Sequence, residues 1–181
     1  MLYAFCFERV GVVVGDLYFV DPNPGAAQEG PERGVRLEVR LVDRPPLPGS
    51  IYSAQPIAID RPVWRADLLE SVDSPHGSFD RTHHHPHAKG WEPRRRHFEE
   101  AMTADPFGWV GEQLSDLDGL VARSDVDPAL VDPDDARQLR DAVPEILDAV
   151  RRLFTRIEQG ELATAPASAP APGEPVRAGW L

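Results

Sequence analysis

The chain has 181 residues, with 30 Asp plus Glu against 19 Lys plus Arg and a formal net charge of −11 at pH 7. That length suits one domain, and 41% hydrophobic residues exclude a wholly disordered chain. The acidic excess excludes a general DNA-coating protein, which needs cationic surface. The single cysteine, Cys6, excludes an internal disulfide, and the reading is a cytoplasmic protein.

In chain order, the apolar run Val10–Val20 is broken by Gly11, Gly15 and Asp16 and follows the acidic Glu8. It fits neither a signal peptide nor a membrane span. It reads as two buried strands joined at Gly15-Asp16, with Cys6 as an inert core thiol in a buried strand nearby. Val35, Leu37, Val39 and Leu41 alternate with Arg36, Glu38 and Arg40, the period of a strand with one wet face. Ile51–Ile59, demoted to an edge by Pro56, and Val63–Glu70 are further strands. Short strands joined by Pro/Gly-rich turns imply an antiparallel meander.

The second half changes period. Asp105-Pro106 opens a helix carrying Val110, Leu114, Leu117 and Val121. Asp132-Pro133 repeats the signal before a longer stripe of Leu139, Val143, Ile146, Leu147, Val150, Phe154 and Ile157. Pro144 lies inside this stripe and predicts a kink or break near Ala142–Val143. The fold class is therefore α+β: an antiparallel meander sheet in the N-terminal half, covered by two or three C-terminal helices. One domain spans residues 1–161, and an Ala/Pro-rich segment, 162–181, reads as a disordered tail ending in Trp180 and Leu181.

All six histidines (His76, His83, His84, His85, His87 and His97) fall within 22 residues. Between Arg81 and His97 stand Arg81, Lys89, Arg94, Arg95 and Arg96, against Glu92 alone. Three readings compete for this island. As a metal site, His83, His85 and His87 share one strand face at two-residue spacing, and Asp80 and Glu92 are the nearby oxygen ligands for zinc, iron, nickel or manganese. As an anion site, Arg81, Arg94, Arg95 and Arg96 hold phosphate or carboxylate and Trp91 stacks on a base or sugar. His83 and His85 then act as catalytic acid–base groups, oriented by Asp80. As a structural loop, Trp91 anchors the segment and the histidines only hydrogen-bond.

Three local patterns resemble known families. Gly77, His83 and His85, with Glu92 as the glutamate, resemble the start of the cupin metal motif. His83-x-His85-x-His87 is similar to the histidine-triad signature of nucleotide hydrolases and transferases. The run Phe79-Asp80-Arg81-Thr82-His83-His84-His85-Pro86-His87, after strands and before helices, resembles the corresponding segment of TumE-like toxins of bacterial toxin–antitoxin pairs, over Gly77–Phe98. That last resemblance implies an RNA-directed toxin countered by a partner antitoxin.

The functional expectation is a metal-dependent or histidine-based hydrolase of a phosphate-containing substrate or RNA, whose partner is an anionic small molecule or RNA. No phosphate-cradling glycine loop is present, so no nucleotide cofactor is expected. The alternative is a non-enzymatic interaction module with a structural histidine loop. It would dock a protein partner or a second copy through the helix 134–158, using Val150, Phe154 and Ile157.

Overall fold

The computed structural model describes residues 1–26 and 28–166. Four long strands follow one another as a meander: β1 (Leu2–Cys6), β2 (Val10–Val20), β3 (Pro31–Asp43) and β4 (Ala58–Ser71). A short fifth strand, β5 (His83–His85), completes the sheet in the order β1-β2-β3-β4-β5, every pair antiparallel. A hairpin of β6 (Ala88–Lys89) and β7 (Glu92–Pro93) follows. Then come α1 (Glu100–Ala104), α2 (Pro106–Ser115), α3 (Leu117–Arg123), a 3-10 turn at Pro128–Leu130 and α4 (Asp135–Glu158). The fold is α+β, as the change of hydrophobic period implies. No helix among the described residues is long and apolar enough to cross a membrane.

One sheet face is apolar. Val12 and Val14 of β2, Val35, Leu37 and Val39 of β3, and Trp64, Ala66 and Leu68 of β4 are buried in one cluster with Leu139, Ile146, Val150 and Leu153 of α4. Removing each such side chain from water contributes roughly 1.5–3 kcal/mol, so this layer dominates stability. Phe154 packs against the same cluster and Ile157 lies within it. The stripe proposed for self-association is therefore occupied inside the chain.

Several local expectations need correction. Gly15-Asp16 is not a turn: Gly15 pairs with Leu2 and Arg36, so β2 runs straight through. Asp16 instead accepts a hydrogen bond from the Ala163 amide, and Ala163 is buried. The packed chain thus extends past residue 162, while residues 167–181 of the proposed tail, Trp180 and Leu181 included, lie outside the described residues. Residues 51–57 form no strand; Ile51 and Tyr52 are exposed in the β3–β4 connection. Cys6 is exposed on β1 rather than buried. The apolar series Val110–Val121 is two helices, because Asp116 caps α3 by accepting from the Gly119 amide. Pro144 leaves α4 continuous; the residue is exposed, so the carbonyl it frees faces water.

Two backbone features shape the opposite sheet face. Pro62 cannot donate to a sheet ladder, and the β3–β4 register shifts beside it, around Arg40. Gly34 of β3 lies against the backbone of β4: a Cβ there would sit 2.1 Å from the Leu68 carbonyl oxygen. No side chain fits that gap.

Candidate metal centre

The second sheet face carries the alternate residues of the same strands. Arg36 of β3 pairs with Asp67 of β4, and Asp67 pairs with His83 of β5. Arg65 pairs with His85 one pleat away. Because side chains alternate along a strand, His83 and His85 point to this face while His84 points into the core. This face reads as wet from sequence, yet Asp67 and His83 are each 1% exposed and His85 is 5% exposed.

The three groups converge. His83 Nε2 lies 3.3 Å and His85 Nε2 3.5 Å from Asp67 Oδ2, and one ligand atom from each residue lies within 4.8 Å of the others. Ligands about 2.1 Å from a tetrahedral ion stand about 3.4 Å apart, so the two distances to Asp67 match edges of such a shell.

Protonation is set by the outer contacts. His83 Nδ1 is 2.8 Å from the Arg81 carbonyl oxygen, and His85 Nδ1 is 2.6 Å from that of Arg94. A carbonyl only accepts, so each Nδ1 must carry and donate the proton. In the neutral rings both Nε2 lone pairs then face Asp67. His83 Nε2 is buried and makes no hydrogen bond. His85 Nε2 accepts from Arg65 Nη2 at 2.9 Å. Burial pushes the His85 pKa down against the pull of Asp67, which keeps that ring neutral.

Asp67 also receives Arg36 Nε at 2.7 Å and Arg65 Nη2 at 2.8 Å. Burial by itself pushes its carboxyl up, but the guanidinium of Arg36 foremost, with that of Arg65, overrides this and holds it well below the usual carboxylate range. Elsewhere on this face Glu32 is buried with neither oxygen hydrogen-bonded; burial raises its pKa, opposed by Arg96, 3.9 Å away.

The remaining sequence candidates lie outside this cluster. His87 and Glu92 are exposed, because Pro86 ends β5 and the chain turns into the β6–β7 hairpin. The carboxylate beside the histidines is Asp67, from the neighbouring strand. Asp80 does not orient a histidine; it accepts from the Ser71 amide and the Ser74 and Ser78 hydroxyls and so shapes the β4–β5 loop. Arg81 reaches the Glu29 carbonyl. Arg94 stands 3.6 Å from Asp125, and Arg95 is exposed. Arg96 bonds Asp21 at 2.9 Å, and Trp91 is exposed with Arg40 over its ring. The five proposed anion-binding side chains therefore do not form one pocket. Asp67, Arg36 and Arg65 were missed; the available signal was the charged alternate positions of two core strands.

His84 plays a separate part. Trp64 Nε1 donates to its Nδ1 at 3.3 Å, so its Nε2–H donates to Glu99 Oε1 at 2.9 Å. Burial lowers the pKa of His84 as well as that of His85. Below the ordinary histidine value of 6.5 the unfolded chain then binds more protons than the folded one. Stability is thus fully present above pH 6.5 and declines as pH falls below it, since protons drawn to the unfolded imidazoles favour unfolding. Thermal melting of the metal-free protein at stepped pH should show Tm falling below about pH 6.5, and His84→Gln should flatten that slope. An unchanged slope would mean that His84 does not titrate differently on folding.

No protein-family model, no curated protein and no solved structure matches this chain.

Proposed function

We propose that the chain binds a divalent transition-metal ion through Asp67 Oδ2, His83 Nε2 and His85 Nε2. The observation that carries this reading is the pair of backbone carbonyls on the two Nδ1 atoms, which orient both Nε2 lone pairs toward one carboxylate oxygen. Metal-binding histidines are held by the same kind of second contact. Two imidazoles and one carboxylate form a mixed nitrogen–oxygen set suited to zinc, iron, nickel or manganese. Three protein ligands leave a coordination position open, the arrangement used when a metal activates water or polarises a phosphoryl group. A metal-dependent hydrolase of a small phosphate-containing substrate is the activity this supports. RNA has less support, since Arg94 and Arg96 already face Asp125 and Asp21.

The second reading is a structural ion cluster in a non-enzymatic interaction protein. The saturation of Asp67 by Arg36 and Arg65 favours it. Titration of chelator-washed, untagged protein with Co(II) separates the two. Metal binding predicts one equivalent bound, with absorption bands of a nitrogen–oxygen site that disappear in His83→Ala and persist in His87→Ala. Absence of stoichiometric binding in the folded parent would leave the structural cluster standing.

A further inference from the structure

We infer that a second site, the cavity where the end of β3 meets the start of β4, binds a free α-amino acid with an aromatic side chain. It shares no residue with the metal centre and does not depend on it. The cavity holds about 540 Å³ and is closed on its other sides by Arg9, by Trp91 of the β6–β7 hairpin and by Leu130 of the 3-10 turn. That volume falls in the range of small-molecule sites, roughly 300–1,000 Å³. Charge is the first observation. Arg9 and Arg61 stand against Asp43 and Asp60, so the lining is neutral in sum. Among the described residues, none of these four side chains makes a hydrogen bond or an ion pair, and neither arginine comes within 4.0 Å of either carboxylate. The neighbouring Arg40 and Arg44 do pair, with Glu38 and Glu8. Unpaired charges of both signs, held apart around one cavity, suit a ligand that is itself a zwitterion.

The second observation is the β-bulge in this wall. Arg40 pairs with Pro62 and Val42 with Ile59, so Asp60 and Arg61 together oppose Leu41. A bulge of two residues against one bends its strand and re-aims side chains. Here it brings a carboxylate and a guanidinium, adjacent in sequence, to the same cavity. Asp60 is exposed and Arg61 half-buried. The ammonium and carboxylate of an α-amino acid are likewise close neighbours, joined through one carbon. Asp60 therefore takes the ammonium, and Arg61 the carboxylate, by the forked donation that guanidinium groups give to carboxylates.

The third is an aromatic platform tied to the same bulge. Trp91 stands at the turn of the β6–β7 hairpin and is 59% exposed. The Arg40 guanidinium lies 4.9 Å from the centroid of its ring, and Arg40 Nε donates to the Asp60 carbonyl at 2.7 Å. One arginine thus fastens the indole to the bulge, which lowers the ordering cost of binding. Ile59 and Leu130 add apolar wall to the cavity. A flat aromatic side chain gains more against an indole than its buried area alone supplies.

The test follows the indole N–H resonance of Trp91 by heteronuclear NMR, assigned with Trp91→Phe, as the full chain is titrated with L-phenylalanine. The expected result is a saturable shift with a Kd of about 1 mM or tighter. Hydrocinnamate lacks the ammonium and phenethylamine lacks the carboxylate, and each should bind at least about tenfold more weakly, because one wall charge then has no partner. Asp60→Asn should weaken L-phenylalanine and leave hydrocinnamate unchanged. Arg61→Gln should weaken L-phenylalanine and leave phenethylamine unchanged. Circular dichroism checks that both variants fold as the parent does. Absence of a saturable Trp91 shift up to about 20 mM L-phenylalanine overturns the inference. Equal affinity for the three probes, or unchanged L-phenylalanine affinity in either variant, overturns it as well. None of these results bears on Co(II) binding at Asp67, His83 and His85.

Discussion

Asp67→Ala is expected to lower stability by about 3–5 kcal/mol in chemical denaturation, among the largest effects of any single substitution in this chain. The carboxylate is 1% exposed and is the shared partner of Arg36 and Arg65. Without it, two largely buried guanidinium groups face each other with Glu38 left to offset them, and repulsion adds to lost hydrogen bonding. Asp67→Asn keeps the shape and one acceptor and should cost less, while still weakening Co(II) binding strongly. Adding Arg65→Met to Asp67→Ala should recover part of the loss, because one stranded charge is removed along with its partner. An alanine variant within about 1 kcal/mol of the parent would show that the arginines reach water unaided. The cluster would then be a solvated patch.

Asp135→Ala should be comparably damaging for a different reason. Asp135 is fully buried at the start of α4. Its Oδ1 accepts from the amides of Glu8, Arg9 and Val10 at 3.0, 3.1 and 3.4 Å, and its Oδ2 accepts from the Asp132 amide at 2.8 Å. One carboxylate thereby fastens the β1–β2 turn to the N-terminus of the longest helix, where its negative charge also suits the helix dipole. Removing it strands four amides, and bonds to a charged acceptor contribute roughly 1.5–3 kcal/mol each when well formed. Since three of them share one oxygen, a total of about 3–5 kcal/mol is expected. Asp135→Asn, which keeps Oδ1 but offers a donor to the Asp132 amide, should cost about half as much. Hydrogen exchange localises the effect: amides 8–10 should lose protection before those of β3. Equal protection in the alanine variant would show that the turn is held by the sheet alone.

The two residues show how legibility divides in this protein. Asp135 follows Asp132-Pro133, which marks a helix start correctly, but its partners are 125 to 127 residues earlier. No local pattern connects the first residues of β2 with that helix. Likewise, Arg36, Glu38 and Arg40 alternate with apolar neighbours, and alternation reports only that two faces differ. It does not tell whether the polar face meets water or other chain. Here the segment after β7 returns beside β5, exchanging backbone hydrogen bonds between His84 and His97, and Phe98 packs on the ring of His83. That return buries charges that would otherwise be solvated.

The histidine island shows the same division. A two-residue spacing places His83 and His85 on one face of any strand, so their pairing was readable. His87 belongs to the same series on paper, but Pro86 ends the strand and His87 leaves the face. The choice of Glu92 as oxygen ligand followed nearness in sequence. In the sheet, the residue paired with His83 across the ladder is Asp67.

Composition and periodicity by themselves determined the class of fold, the split into a strand half and a helix half, and the shared face of two histidines. These properties arise from local geometry: 3.6 residues per helical turn and two per strand repeat. Tertiary structure decided which carboxylate meets the imidazoles, which arginines neutralise it and which aspartate anchors α4. Those contacts depend on strand register and chain reversal, and a shift of one residue in register would send every one of these side chains to the opposite face.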